Sequence, residues 1–329
     1  MRLTPDAAHT LVVETLVRCD SSAANAGHVA DALVGAELVG QSGHGLRRVP
    51  SYAGQALSGK VDGHAIPTLG RTKPAVVSID AANGFAYPAI ALAVEALPSI
   101  VRDQGVAVAG IRRSHHAGVT GLVVEQLAGA GLVALMLVNS PPAMAPWGGT
   151  TALLGTNPVA FAVPTASDPI VIDLSLSEVA RGKVMAAKQK GEPIPEGWAF
   201  DADGNPTTDP DAALAGTMVP AGGAKGAVLA LMVELLAAGL TGANYASNAS
   251  SFFEAEGTPP GTGQFLLAID PDAVSVGGVD RFTALADAIE ADPGARLPGR
   301  RRRELAAEGA GGFEIDDDLL RTIDQLGRG

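Results

Sequence analysis

Cysteine is nearly absent from this chain of 329 residues, in which Cys19 is the only thiol. A single thiol excludes an internal disulfide and a CxxC metal site, and it fits a reducing compartment. Long apolar runs are also missing, since no uncharged stretch reaches the roughly 18 residues that a membrane-spanning helix requires. The N-terminus lacks the basic and apolar segments of a secretory signal. We therefore expect a soluble, cytoplasmic protein with no membrane partner and no metal site.

Positive charge and aromatic side chains are scarce as well. The formal net charge is -12, and aromatic residues make up 4% of the chain. Nucleic-acid binding needs a basic face against the phosphates and rings that stack on bases, so a nucleic-acid partner is not expected. Glycine and proline are plentiful, with 41 and 22 residues, which indicates many tight turns. This composition suits an α/β enzyme.

Apolar stretches alternate between strand and helix patterns through the middle of the chain. Strands are predicted at Ala75–Ile79, Val106–Ile111, Leu132–Val138, Val159–Val163, Ile170–Ile172 and Phe265–Ile269, and helices at Pro88–Arg102, Val119–Ala128 and Ala227–Leu240. Two further helices are predicted to begin at Thr4-Pro5 and after Ser21-Ser22, where hydroxyl groups can cap them. The alternation predicts a layered α/β domain.

One block, Arg112 to Pro164, combines apolar runs with polar turns. It contains IRRSHHAG from Ile111, VNSPPAMAPWGG from Val138 and LLGTNPVAFAVP from Leu153. Apolar runs of helix or strand length separate these turns, so the chain should return three times to one rim of the domain. We expect the chemistry at that rim.

A separate turn contains His44 between Gly43 and Gly45. Arg48 and Tyr52 follow, four residues apart, and could share one face of a third helix with His44 at its start. The alternative is a capped helical hairpin with a solvated basic face.

Histidines are confined to the first 116 residues, so few groups could transfer protons near neutral pH. His115 and His116 follow a predicted strand end, where ligands of α/β proteins often bind. Because sequence neighbours face different ways, one of the two is expected to point into a site. A purely structural histidine is the alternative.

Three other turns contain polar groups that could bind a ligand. The glycine-rich turn at Lys225 precedes an apolar helix, and its backbone N–H groups, its cation and the helix dipole suit a phosphate. Asp173, Leu174 and Ser175 end a strand, and Ser175 with Glu178 forms a capping-box pattern for a following helix. Ser140 lies in a third strand-end turn. For each of these turns the alternative is turn or cap chemistry alone.

Two apparent ligand motifs are rejected. Gly129 to Ala134 matches the dinucleotide fingerprint as a string, but it follows a helix and opens a strand, the reverse of the required order. Arg300 to Arg303 precede an apparent helix, and a solvated helix face is favoured there over a phosphate clamp.

Taken together, the motifs resemble one enzyme family. They are Gly43-His44-Gly45-Leu46-Arg47-Arg48-Val49-Pro50, Ser114-His115-His116, Asn139-Ser140-Pro141-Pro142, Ala145-Pro146-Trp147-Gly148-Gly149, Gly155-Thr156-Asn157-Pro158 and Gly222-Gly223-Ala224-Lys225-Gly226. In this order they resemble the malate/L-lactate dehydrogenase family of the non-Rossmann type, which includes sulfolactate and ureidoglycolate dehydrogenases and piperideine-2-carboxylate reductase. The resemblance extends from Thr4 to about Arg303.

The resemblance implies reversible hydride transfer between NAD(P)H and a small anionic 2-oxo acid, in a homodimer. It implies a non-Rossmann nicotinamide-binding sheet domain. We place that domain at 75–279, with a helical layer for substrate binding and dimerisation formed by 1–74 together with 280–329. NADH and NADPH are not distinguished, because no standard fingerprint is present to inspect.

By motif position, His116 and His44 would be catalytic, with His116 as the general acid that donates a proton to the carbonyl oxygen. Arg48 would bind the substrate, since a guanidinium can hold a carboxylate in two parallel hydrogen bonds, and Tyr52 is placed beside it. The cofactor-binding residues would be Ser140, Asp173, Leu174, Ser175 and Lys225.

Two departures from the family pattern concern the site. Gly43 stands where members usually have Ser, and Ala224 stands where many have His. Glu192 to Trp198 is most similar to the sulfolactate dehydrogenase branch, whereas Ser58 to Gly63 and His115-His116 also fit the piperideine-2-carboxylate reductase branch. The alternatives to a 2-hydroxyacid dehydrogenase are therefore an imine reductase of that type and a non-catalytic nucleotide- or anion-binding relative.

Overall fold

The computed structural model describes residues 1–328. Its helices are α1 (Pro5–Arg18), α2 (Ala23–Leu38), α3 (Val49–Leu57), α4 (Ala86–Gln104), α5 (Thr120–Gly129), α6 (Arg181–Lys190), α7 (Pro210–Ala215), α8 (Ala224–Glu234), α9 (Gly278–Glu290), α10 (Arg300–Gly309) and α11 (Asp317–Gln325). Its strands are β1 (Arg2–Leu3), β2 (Thr68–Lys73), β3 (Val76–Asp80), β4 (Val106–Ser114), β5 (Val133–Val138), β6 (Val159–Val163), β7 (Ile170–Leu174), β8 (Ala199–Phe200), β9 (Pro206–Thr207), β10 (Thr217–Met218), β11 (Thr262–Ile269) and β12 (Phe313–Glu314).

A seven-stranded mixed sheet forms the centre, in the order β2-β3-β4-β11-β5-β6-β7. Strands β3 and β4 pair in parallel, while the other neighbouring pairs are antiparallel. The predicted layered α/β fold is confirmed, and each predicted strand lies within a few residues of its observed position. Strand β2 is not among the predicted strands because all six of its residues are exposed and its sequence lacks apolar alternation.

The sheet buries side chains on both faces. Ala134 and Met136 of β5 lie in one apolar cluster with Leu97 of α4 and Leu127 of α5. Leu135 and Leu137, which alternate with these residues along β5, pack in a second cluster that includes residues of α6 and α8. Because successive side chains of a strand point to opposite faces, this division places α4 and α5 on one side and α8 on the other.

The N-terminal helices pack with the C-terminal helix α11 around a further apolar cluster. The predicted caps are confirmed: Thr4 accepts a hydrogen bond from the Ala7 N–H and Ser22 accepts one from the Asn25 N–H. The division into 1–74 with 280–329 and 75–279 stays a prediction. Strand β2 lies within the first of these ranges and pairs with the central sheet.

Two local predictions are wrong. The third helix does not begin at His44, because two short 3-10 turns, Ser42–His44 and Leu46–Arg48, precede α3. No capping box forms at Ser175, since α6 begins only at Arg181 and has no side-chain cap. The apolar helix predicted at Ala227–Leu240 is confirmed, and its last turn, Leu235–Gly239, is π-helical and directly follows the buried Glu234.

Candidate active site

The three polar turns do meet at one edge of the sheet. Thr262 pairs with Ser114 and Gln264 pairs with Val138, so β4 and β5 end beside the start of β11. Val159 at the start of β6 pairs with Leu137, at the same end of β5. The expectation that the chain returns three times to one rim is confirmed.

Two histidines from distant parts of the chain meet at this edge. His44 Nδ1 lies 3.0 Å from His116 Nε2, and the two rings are stacked. His116 Nδ1 lies 2.6 Å from the Tyr52 hydroxyl, which lies 3.0 Å from the Tyr87 hydroxyl. Both ring nitrogens of His116 therefore have protein partners, whereas His44 Nε2 has none among residues 1–328. In this geometry His116 has no free ring nitrogen from which to donate a proton directly to a substrate.

Burial sets the protonation state of these groups. It lowers the pKa of His44 to about 4, with the positive charge of Arg48 as the second cause. Burial and then Arg48 also lower the pKa of His116 well below its usual value. The hydroxyls of Tyr52 and Tyr87 stay protonated, because burial raises the pKa of Tyr52 to about 12 and raises that of Tyr87 well above its usual value. Without substrate, both imidazoles are neutral at pH 7.

Two directions of the hydrogen-bond chain satisfy the donors and acceptors present, and we assign the one that leaves His44 Nε2 as an acceptor, because that form can take a proton from a hydroxyl. His44 Nδ1–H donates to His116 Nε2, and His116 Nδ1–H donates to the Tyr52 oxygen. The Tyr52 hydroxyl in turn donates to Tyr87. His44 Nε2 is left as a free acceptor in the neutral ring and as a free donor in the protonated ring.

Arg48 provides a buried cation beside the histidines. Its side chain is 9% exposed, and its Nε donates to the Gly43 carbonyl at 2.8 Å. The guanidinium carbon lies 4.4 Å from the centre of the Phe253 ring. The NH1 group is buried without a hydrogen-bond partner. An unpartnered buried donor is costly, so this geometry suits a site completed by an anionic ligand.

Tyr52, which was expected to bind substrate, lies behind His116. This side chain is fully buried, and its hydroxyl is used by His116 and Tyr87. Arg48, Tyr52 and Gln55 share a face of the helix, as their spacing suggests, but that face turns into the protein. Gln55 accepts from His115 Nε2 at 2.7 Å, so Gln55 is a further site residue that the same spacing could have revealed.

His115 faces away from the open side of the site. It is 1% exposed and packs against Tyr52, Phe85 and Phe252. Burial lowers its pKa to about 3, with Arg48 as the next cause. This placement of His115 fits the alternative of a structural histidine.

The turn at Ser140 adjoins a polar network that the sequence patterns did not predict. Ser140 Oγ accepts from the Thr156 N–H at 3.0 Å, and Ser140 N–H donates to Asn157. Asn157 Nδ2 donates to Glu234 at 2.8 Å, and Asn139 Nδ2 donates to the other carboxylate oxygen at 3.0 Å. Glu234 therefore ties α8 to the ends of β5 and β6.

The predicted cofactor residues at the end of β7 have different environments. Asp173 accepts from Thr120 Oγ1 at 2.9 Å and from the Gly121 N–H at 2.8 Å, so both of its oxygens hold the first turn of α5. The Leu174 side chain is 45% exposed. Ser175 Oγ hydrogen-bonds Ser177, and its neighbour Leu176 donates to the Thr156 carbonyl, which brings this turn beside Ser140.

The prediction of a solvated face for Arg300 to Arg303 is wrong for Arg302. Its side chain is 14% exposed and lies 4.0 Å from Asp173 and 3.7 Å from Glu125. All three guanidinium nitrogens are buried without a hydrogen-bond partner. Helix α10 packs against α2, so one side of this basic run is enclosed where the sequence showed only consecutive charges.

The turn before α8 has the features of an anion site. Gly222 and Gly223 both have φ of +66°, and no side chain caps the helix that starts at Ala224. The first-turn N–H groups are thus left to another acceptor. Lys225 is exposed and has no hydrogen bond or ion pair with residues 1–328. The Ala221 N–H donates to the Leu176 carbonyl, which places this turn next to Ser175.

Two further observations concern the described part of the chain as a whole. Within residues 1–328, no helix is both long and apolar enough to cross a membrane. In the same range, no group of three or more His, Cys, Asp or Glu side chains is arranged to hold a metal ion.

Comparison with known proteins gives one consistent family. The profile described as malate/L-lactate dehydrogenase matches residues 3–324. The (2R)-3-sulfolactate dehydrogenase (NADP(+)) of Chromohalobacter salexigens is 52% identical over 317 residues, which cover 96% of this chain and 95% of that protein. The Delta(1)-pyrroline-2-carboxylate/Delta(1)-piperideine-2-carboxylate reductase of Pseudomonas putida is 42% identical, covering 88% and 86%. The crystal structure of delta1-piperideine-2-carboxylate reductase from Pseudomonas syringae superposes with a TM-score of 0.93 at 38% identity, covering 99% of each chain.

Proposed function

The chain belongs to the malate/L-lactate dehydrogenase family and is an NAD(P)-dependent oxidoreductase of small 2-hydroxy and 2-oxo acids, and we propose that its substrate is of the sulfolactate type. The observation that carries this choice is the 52% identity to a sulfolactate dehydrogenase over 96% of the chain. The open space beside His44 supports it, because a Cβ built on Gly43 meets nothing within 4 Å. This space leaves room for the second anionic group of such a substrate.

Arg48 holds the carboxylate of the oxo acid in this proposal. Its unpartnered NH1 group and the planar guanidinium match a carboxylate in two parallel hydrogen bonds. Such a clamp fixes the reacting carbon against the cofactor. Bound nicotinamide supplies or accepts the hydride at that carbon.

His44 moves the proton. In reduction its Nε2–H protonates the carbonyl oxygen, and in oxidation the free Nε2 takes the proton from the hydroxyl. The apo pKa of about 4 suits the oxidation direction, since the ring is neutral at pH 7. The carboxylate, which the hydroxy acid and the oxo acid both carry, offsets the charge of Arg48 and so raises the pKa of His44, which lets the ring hold the proton that reduction requires.

His116 orients His44, in place of the direct role expected from its motif position. Its Nε2 accepts from His44 Nδ1, and Tyr52 and Tyr87 fix the His116 tautomer behind it. This arrangement keeps His44 Nε2 toward the substrate during both steps. In many enzymes the group that transfers the proton is likewise oriented by a second buried group.

For the cofactor we propose NADPH, held at the edge from Ser140 through Ser175 to Lys225. The uncapped first turn of α8 and the exposed ammonium of Lys225 suit a pyrophosphate. Leu174 offers an exposed apolar surface at the same edge. Asp173 acts indirectly in this proposal, by holding the first turn of α5.

We propose a homodimer formed through α8, and the cytoplasm as the compartment, which suits the free thiol of Cys19. The outward side of α8 and the segment after it have large apolar side chains that are 41% to 65% exposed: Val228, Leu229, Leu231, Met232, Leu235 and Leu240. Glu234 points inward, so no charge interrupts this surface. Continuous apolar surfaces of this kind are typical of protein contacts.

Sedimentation velocity tests the dimer. Leu231→Glu should give monomers, whereas Val17→Glu, which alters a similarly exposed residue of α1, should leave dimers. A dimeric Leu231→Glu variant would contradict the assignment of this surface.

A second candidate is reduction of a cyclic imine carboxylate. It is favoured by the TM-score of 0.93 to the Pseudomonas syringae piperideine-2-carboxylate reductase. Such a substrate presents a carboxylate to Arg48 and a ring nitrogen to His44, so the same groups could serve.

Steady-state assays of the purified protein distinguish the two candidates. Sulfopyruvate, oxaloacetate, pyruvate and piperideine-2-carboxylate are each tested with NADPH and with NADH. We expect the highest kcat/KM with sulfopyruvate and NADPH. A higher kcat/KM with the cyclic imine would favour the second candidate, and no nicotinamide oxidation with any of them would refute both.

A further inference from the structure

Lys60 is buried outside the site and takes no part in the chemistry described above. The residue is 2% exposed, although lysine is rarely buried without a partner. Its Nζ lies 2.7 Å from the Ser251 carbonyl oxygen, 2.9 Å from that of Glu254 and 3.1 Å from that of Glu256. All three ammonium hydrogens therefore go to backbone oxygens of one loop, 251–256.

The same loop is held by two more side chains of the α3 region. Gln55 Nε2 donates to the Phe252 carbonyl at 2.9 Å, and Ser58 Oγ donates to the Ala255 carbonyl at 2.6 Å. Most side chains of the loop are exposed, and Phe252 is the buried exception. With so little apolar burial of its own, the loop depends on these polar contacts for its conformation.

The loop supplies the aromatic wall of the site. The Phe253 ring lies 4.4 Å from the Arg48 guanidinium carbon. The Phe252 ring lies 5.3 Å from the His116 ring and 5.1 Å from the His115 ring. Displacement of the loop would therefore remove the Phe253 ring from the Arg48 guanidinium and would open the histidine pair to water.

We infer that Lys60 is a positioning residue for substrate binding: its ammonium serves as a built-in cation at the centre of the 251–256 loop and thereby holds Phe253 against Arg48. The proposal rests on the proposed function, in which Arg48 binds the substrate carboxylate. It adds a residue that touches neither substrate nor cofactor but controls the affinity for the oxo acid.

Two variants separate the charge of Lys60 from its bulk. Lys60→Met keeps an apolar stem of similar length without the ammonium. Lys60→Ala keeps Cβ and leaves a space of the size of n-propylammonium, whose three carbons and nitrogen correspond to the missing Cγ, Cδ, Cε and Nζ. Lys73→Met, in the exposed strand β2, serves as the control for loss of a lysine.

We expect KM for the oxo acid to rise about 10-fold in both Lys60 variants, the factor that corresponds to loss of one desolvated cation–π contact. KM for NADPH should change less than about 2-fold, since the loop is proposed to act through Arg48. Added n-propylammonium should restore KM for the oxo acid in Lys60→Ala but not in Lys60→Met, whose stem fills the space. The Lys73→Met variant should behave as the unaltered enzyme.

Hydrogen exchange of the loop amides gives a second readout that needs no turnover. Amides of 251–256 should lose protection in Lys60→Ala and regain it with n-propylammonium. Unchanged KM and unchanged protection in both variants, or equal effects of n-propylammonium on both, would overturn the proposal. If the unaltered protein turns over no oxo acid but the exchange pattern appears as expected, the loop assignment stands and the proposed function fails.

Discussion

Arg48→Met should separate substrate binding from stability. In the native protein the guanidinium makes one hydrogen bond, to the Gly43 carbonyl, and contacts the Phe253 ring, while NH1 has no partner. Methionine keeps most of the apolar stem and removes a buried charge that is poorly compensated. We therefore expect the free energy of unfolding to change by no more than about 1 kcal/mol, in either direction.

Activity should respond much more strongly. Two charge-assisted hydrogen bonds to a carboxylate are worth about 1.5–3 kcal/mol each, so their loss lowers kcat/KM for the oxo acid by roughly 10²- to 10⁴-fold. The assay is NADPH oxidation at several oxo-acid concentrations, with urea denaturation of the same preparations for stability. Arg47→Met, which alters the exposed neighbouring arginine, is the matched control and should change neither quantity. If Arg48→Met kept kcat/KM within about 3-fold of the unaltered enzyme, Arg48 would not be the carboxylate ligand.

Further predictions follow from the hydrogen bonds and burial at the same edge. Tyr52→Phe should lower kcat by about 10-fold or more with little change in KM, because His116 Nδ1 loses its partner; an unchanged kcat would remove the tyrosine from the proton chain. Glu234→Gln should destabilise the protein by about 2–4 kcal/mol in urea denaturation, because its new NH2 group faces amide donors; equal stability would contradict the network. Stability should also fall as pH drops below 6.5 toward the folded-state pKa values, about 4 for His44 and about 3 for His115, because the unfolded chain binds protons first. At about 1.4 kcal/mol per pKa unit, each of these histidines costs roughly 2 kcal/mol by pH 5, and a flat unfolding free energy between pH 7 and 5 would contradict their burial.

The sequence predicted those features that depend on local patterns. Apolar alternation located the strands of the central sheet other than β2, and the hydroxyl residues Thr4 and Ser22 cap helices where expected. Strand-end turns also indicated the functional edge, because the ends of β4 and β5 must lie together once the sheet forms. His44, Arg48 and His116 were brought together by motif resemblance rather than by spacing.

The orientation of side chains could not be predicted in the same way. Tyr52 lies four residues from Arg48, as a shared helix face requires, yet its hydroxyl turns inward to Tyr87, a residue with no sequence signal of its own. In the sequence Arg302 is one of four consecutive arginines. In the structure its side chain is the one that is enclosed beside Asp173. In each case the deciding contact joins elements far apart in the chain.

Lys60 is the extreme example of this limit. Its partner Ser251 is 191 residues away, and neither segment has a motif that indicates the contact. A lysine in a polar turn is normally a solvated surface residue, so the local sequence predicts an exposed side chain where the structure has a buried one. The convergence of three carbonyl oxygens on one ammonium exists only in the folded chain.

The central claim is that this site transfers a hydride to an oxo acid while His44 supplies the proton. The most direct test follows deuterium from NADPH labelled at the transferable position of the nicotinamide, using mass spectrometry and NMR of the product. We predict one deuteron on the carbon bearing the new hydroxyl, with formation in His44→Gln slower by about 10²- to 10⁴-fold at unchanged NADPH affinity. Unlabelled product, or an equal rate in His44→Gln, would contradict the account.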